Sequence, residues 1–161
     1  MTNAVVGELA DDGAGRLSYH GARYLLIRPE TLAALQKSVE VAAGRQASDC
    51  LAAGGRAGGA RATVTLAGAG EERARRLVAM GGALGWGQFA LERFAGDGLV
   101  VTVRRSPFAE AYGAAASPVC HLTRGVLESL AILTLERPAH VVETQCAAAG
   151  AAHCRFEARV G

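Results

Sequence analysis

Four side chains toward the C-terminus have the types and spacing to bind a metal. Cys120, Glu143, Cys146 and Cys154 follow one another at gaps of 23, 3 and 8 residues. The last three lie in VVETQCAAAGAAHCRFEARV, residues 141–160, where a Gly/Ala turn separates two strand-like runs. Thiolates are soft donors, and three of them with one carboxylate suit tetrahedral zinc, which needs no redox chemistry. With all four bound no position is open, so the metal would be structural, a clip coupled to folding. Its formal charge, zinc included, would be −2, counted from three thiolates and one carboxylate. Arg155, His153, His121 and Arg124 are near enough in sequence to offset that charge.

Two competing readings stay open at this point. Cysteine also behaves as a small buried hydrophobe, which is the reading given to the lone Cys50. A Cys146–Cys154 disulfide is the other. A catalytic zinc, with Glu143 freed as general base, would call for a Cys-x-x-Cys pair beside a Glu motif, and the chain has neither. No phosphate loop, dinucleotide fingerprint or Ser/His/Asp set stands out. No catalytic residue is nominated, and the chain reads as a binding protein rather than an enzyme.

The elements that must position these groups follow from local signals. Residues 1–15 read as a flexible leader and 16–161 as one domain. LSYHGARYLLI, 17–27, reads as two short strands broken at Gly21. Pro29 and Glu30 open a helix with Leu32, Leu35 and Val39 as its apolar stripe and Gly44 as its stop. Residues 46–60 are ambiguous between helix and loop, since four glycines oppose a helix. A helix over 71–80 should face Ala74, Leu77 and Val78 inward. Strands follow at 88–94 and 99–103, joined by a turn at Gly96-Asp97-Gly98. Ser106 and Pro107 cap a short helix. Residues 121–135 form the clearest helix, stopped by Pro138, with Cys120 at its start. There the helix dipole favours a thiolate. Segments 140–145 and 154–160 should pair as a hairpin. If the strand stayed regular, Glu143 and Cys146 would face opposite ways; a turn beginning at Cys146 removes that conflict.

Composition bounds the rest. A chain of 161 residues with net charge +2 can bury a real core and presents no basic stripe for nucleic acid. No stretch approaches the about 18 apolar residues of a membrane span, and the N-terminus lacks a signal peptide's basic region. The expected location is cytoplasmic, where clustered thiols stay reduced.

The spacing within PVCHLTRGVLESL…HVVETQCAAAGAAHCRF resembles the C-terminal signature of the 4-vinyl reductase domain family. It is similar to the sensor domains of that family's aromatic-responsive transcription regulators. "GWG" and "SPFAE" upstream fit the same domain over about residues 15–160. The resemblance implies an α+β fold, an antiparallel sheet packed with helices, like the ligand-binding domains of nitric-oxide sensing and Golgi transport proteins. It implies structural Zn2+ on Cys120, Glu143, Cys146 and Cys154, and a homodimer. It also implies an enclosed pocket for a hydrophobic small molecule, for which Trp86, Phe89, Phe108, Tyr112, Leu127 and Leu130 are the candidates. The positions that hold the phenolic hydroxyl in phenol-responsive members fall at about Gly85 and Val103, whose side chains cannot hydrogen-bond. A larger or more apolar ligand, such as a polycyclic or tetrapyrrole-type molecule, is therefore implied. The function expected is that of a sensor or carrier; an accessory in pigment or aromatic metabolism and a ligand-free protein-interaction dimer are the alternatives.

Overall fold

Four strands in the second half of the chain build the sheet on which the site rests. In this computed structural model, which describes residues 3–63 and 67–161, β4 (Gln88–Ala95) and β5 (Gly98–Arg104) form one hairpin. A second hairpin joins β6 (Ala139–Gln145) to β7 (Cys154–Val160). β7 docks antiparallel on β5, giving the order β4-β5-β7-β6. β5 is central, and its run from Gly98 to Val103 is buried at every residue. Its continuous apolar character thus reports burial on both faces rather than alternation.

One sheet face carries Leu99, Val101, Val103, Phe156, Ala158, Val141 and Cys154 into the core. Two helices cover it: α4 (Gly70–Ala83), through Ala74, Leu77 and Val78, and α6 (His121–Leu135), through Leu127, Leu130 and Ala131. On the opposite face charged side chains roof Val100 and Thr102. Arg155 reaches Glu92 at 3.4 Å and Glu157 at 3.2 Å, and Thr102 Oγ1 donates to Glu92 at 2.9 Å. The fold is the α+β arrangement expected, one domain of helices on antiparallel strands.

The ambiguous segment is helical. α3 (Ala47–Thr63) packs along α6, and its glycines explain why it can. A Cβ on Gly55 would run into the Leu122 carbonyl, and one on Gly125 of α6 into the Ala52 carbonyl. Close backbone approach outweighs the intrinsic cost of glycine in a helix. Ser129 Oγ donates to the Arg56 carbonyl at 2.8 Å, and Arg56 pairs with the buried Glu128 at 3.3 Å across the same seam.

α2 (Pro29–Ala43) begins and ends as expected but turns a different face inward. Ala33 and Gln36 are buried, whereas Leu35 is 59% exposed. The reason is a partner that periodicity does not see: Gln36 Nε2 donates to the Val119 carbonyl at 2.9 Å. Leu25, Leu26, Ile27 and Val41 are exposed as well.

The strands expected around Gly21 are β2 (Leu17–Tyr19) and β3 (Ala22–Tyr24). The span expected as leader carries structure of its own. α1 (Ala4–Glu8) is capped by Asn3, whose Oδ1 accepts from the Val5 N–H at 2.9 Å, and β1 (Ala10–Asp11) pairs with β2. Met1 and Thr2 of that span lie outside the described residues.

Candidate metal centre and the groove beside it

The short helix α5 (Pro107–Tyr112), capped by Ser106, leads into the loop that delivers Cys120 to the start of α6. Val119, just before it, is held by Gln36 of α2. Glu143 projects inward near the end of β6, and Cys146 and Cys154 flank the hairpin turn. That turn is closed by Ala149 and Ala151 N–H groups on the Cys146 carbonyl, at 3.0 and 3.1 Å, with Gly150 at φ 93°.

Cys120 Sγ, Cys146 Sγ, Cys154 Sγ and a Glu143 carboxylate oxygen all lie within 4.8 Å of one another, and all four residues are buried. Cys120 and Cys154 sulfurs are 3.6 Å apart. Ser106 Oγ sits 3.6 Å from Cys120 Sγ, and the Ala147 N–H donates to Cys154 Sγ at 3.4 Å. Glu143 Oε2 accepts the Cys120 N–H at 2.9 Å. Its Oε1 is buried and has no hydrogen-bond partner, as does Oγ1 of Thr123 elsewhere on α6.

Glu143 and Cys146 share a face for a reason other than the one expected. Cys146 is still extended, at φ −136° and ψ 132°, so the turn has not yet begun there. The register instead shifts between Glu143 and Gln145: Glu143 pairs with Phe156 and Gln145 with Arg155. Thr144 is the extra residue of a β-bulge, and it restores the parity that regular alternation would break.

The electrostatics are those of four acidic groups crowded together in a buried place. Hydrogen bonds from Cys120 and Cys154 hold the Cys146 thiol well below the usual thiol range. Cys120 is pushed up by its bonds to Cys146 and Cys154 and by burial. Cys154 is pushed up to about 12; its contact with Cys120 pulls downward, but Cys146 and burial outweigh it. Burial, and then Cys146, pushes the Glu143 carboxyl up to about 8.

Beside the cluster lies an open groove of about 680 Å³, between the C-terminal end of α2, the start of α3, the loop after α5, and β6. Glu40, Asp49, Tyr112, His121 and Arg124 are among its polar side chains. Tyr112 Oη donates to Glu40 at 2.6 Å, and Arg124 donates to the Ser48 carbonyl at 3.0 Å and to Asp49 at 3.1 Å. Burial, and then Arg124, lowers the His121 pKa. Glu143 also lines this groove; Cys120, Cys146 and Cys154 do not. Sequence reasoning missed Glu40, Asp49 and Gln36, which sit on helices remote in the chain and carry no motif.

Of the six candidate pocket residues, Tyr112 alone lines the groove. Trp86 meets Phe108 edge-to-face at 5.0 Å between ring centroids. Phe89 packs beside Gly81, and Leu127 and Leu130 are buried in the core. Phe89, Phe108 and Tyr112 are partly buried and pack against the same core cluster, which contains Leu127 and Leu130.

Residues 99–160 match the model of the 4-vinyl reductase domain, so the resemblance to that family is borne out. No curated protein sequence matches the chain. Among solved structures, the chain is similar to the phenol-responsive sensory domain of the transcription activator PoxR with phenol. The TM-score is 0.85 at 17% identity, over 97% of this chain and 86% of that one. A vinyl-4-reductase family protein from Methanocaldococcus jannaschii aligns at TM-score 0.59 and 14% identity, over 87% and 84%. A trafficking protein particle complex subunit 3 from Naegleria fowleri, covalently bound to palmitic acid, aligns at 0.54 and 11%, over 83% and 95%. At these identities the likeness establishes the fold. Among the described residues no helix is long and apolar enough to cross a membrane.

Proposed function

We propose that this chain, which matches the 4-vinyl reductase domain over residues 99–160, is a sensor or carrier domain for a hydrophobic or aromatic small molecule, clipped together by a structural zinc ion. The observation that carries the metal half is the convergence of four buried donors within 4.8 Å, one of whose carboxylate oxygens lacks any partner. Isolated buried polar atoms are costly, and a cation is the partner this donor set fits. Cys120, Glu143, Cys146 and Cys154 would hold it, and its contribution is to tie the β6–β7 turn to the start of α6. Full-length likeness to a sensory domain solved with phenol supports the small-molecule half. The ligand-lining roles of Trp86, Phe89, Phe108, Tyr112, Leu127 and Leu130 belong to this proposal.

A homodimer belongs to the same proposal; the consecutive exposed Leu25, Leu26 and Ile27 support it. A second reading, a dimeric interaction module without ligand, draws on the packed Trp86–Phe108 contact. Native mass spectrometry set against the denatured mass separates them. One zinc per chain with an added organic mass, on a dimer, is the expected result. Zinc without organic mass favours the interaction module, and no zinc removes the metal assignment.

A further inference from the structure

We propose that a second copy of this chain docks on the outward face of α2, the two helices lying antiparallel about a twofold axis beside Ser38. The inference rests on the homodimer reading above and names the surface that makes the dimer. A surface helix ordinarily keeps its charges toward solvent. α2 does the reverse. Gln36 donates to the Val119 carbonyl at 2.9 Å, Lys37 to the Tyr112 carbonyl at 2.9 Å, and Glu40 accepts from Tyr112 Oη at 2.6 Å. These polar groups are tied to the body of the protein. At helical spacing the outward side presents Thr31, Ala34, Leu35, Ser38, Val41 and Ala42, all exposed and none charged. Leu35 is 59% exposed and Val41 89%.

The order of these residues selects the occupant. A twofold contact brings the same patch together from both copies, so the patch must match itself when reversed. Counted from Ser38, this one does: Leu35 and Val41 stand three positions to either side, and Ala34 and Ala42 four. In an antiparallel pair Leu35 meets the partner's Val41, Ala34 meets the partner's Ala42, and Ser38 meets the partner's Ser38. Small residues on the axis let the helices approach to about 8 Å, the short end of helix packing. Ser38 Oγ already donates to the Ala34 carbonyl at 3.0 Å, so its hydroxyl keeps a partner when water is excluded. The same arrangement sets Arg45, just beyond the end of α2, beside the partner's Glu30 at the start of its own α2, a pairing of opposite charges. Leu25, Leu26 and Ile27 lead directly into α2. With Leu35 and Val41 they leave on the order of 650 Å² uncovered per chain, most of the about 800 Å² that each partner buries in a standard interface.

The test uses the full chain, its mass in solution followed by sedimentation over a dilution series. Wild-type protein should be a dimer. Ser38→Arg, at an exposed position outside the donor set, places two like charges on the axis. It should raise the dimer Kd by roughly a hundredfold or more, with metal content and circular dichroism unchanged. In a Cys50→Ser background, Ser38→Cys should join two chains through a disulfide on treatment with diamide, since the axis brings the two sulfurs within bonding reach. Thr31→Cys should not, because seven positions from the axis it lies roughly 20 Å from its twin at the rise of a helix. A dimer Kd unmoved by Ser38→Arg, no link at position 38, or a link at 31 as ready as at 38 would each overturn this face as the interface, with the dimer itself still standing. A monomeric wild-type chain would instead remove the dimer reading, and this proposal with it, leaving α2 to a partner of another kind.

Discussion

The backbone N–H of Cys120 donates to Glu143 Oε2 at 2.9 Å, linking the first residue of the metal set to the second across 23 positions of chain. The bond joins the start of α6 to β6 and aims one free N–H of a helix N-terminus at a carboxylate, the pairing its dipole favours. Hydrogen bonding within the protein thus helps to assemble the cluster.

Cys146→Ser should lower zinc content and melting temperature together, because binding and folding are coupled in such a site. Cys50→Ser should change neither, since Cys50 is exposed and remote from the cluster. Metal analysis and thermal melting on the same samples check both; unaltered zinc in Cys146→Ser would end the assignment.

Deleting Thr144 should leave metal binding largely in place, because all four donors remain and keep their common face. Removing the bulge residue returns β6 to strict alternation and sets Glu143 and Cys146 two positions apart, on the same side of the strand. The readout is zinc stoichiometry beside circular dichroism, which should retain most of its strand signal. A deletion variant without zinc would show that the bulge does more than correct the parity.

Gly125→Ala should destabilise by about 1–3 kcal/mol, the usual cost of overpacking. The new methyl group meets the Ala52 carbonyl, which is helix backbone and cannot swing away. Gly58→Ala, with open space around its Cβ, should be neutral or stabilising. Urea midpoints of the two variants decide between close packing and mere tolerance of glycine.

His121 gives the stability a pH dependence of defined sign. Its pKa is lowered in the fold from an ordinary 6.5, by burial and then by Arg124. Below that value the unfolded chain takes up a proton that the fold resists. The His121 contribution is therefore full above pH 6.5 and declines as pH falls toward the folded-state value. Metal-free protein should show a lower urea midpoint at acid pH, and His121→Gln should flatten that slope. An identical slope in the variant would mean His121 titrates freely.

What the sequence made legible was whatever local chemistry decides. Pro29, Ser106 and Pro138 set helix limits, alternation gave β6 and β7, and the spacing of thiols gave the cluster. What stayed hidden depends on partners distant in the chain. Gln36 is inward because Val119 offers a carbonyl, and periodicity counts apolar residues rather than hydrogen bonds. α3 is a helix because α6 receives its glycines, a tertiary effect opposed to their propensity. The bulge at Thr144 leaves no mark in HVVETQ, whose last three residues are all polar and do not single out an extra position. The groove joins α2, α3, the loop after α5, and β6, so no single segment announces it.

β6 is an edge strand, seven residues long, at the open side of the β4-β5-β7-β6 sheet. Two of the four donors lie at its end or just beyond, so a metal held by them would also restrain this edge. Exposed edges are templates for unwanted strand pairing. Were zinc bound as proposed, its loss would free this edge for pairing with a neighbouring chain while the rest of the fold was still intact.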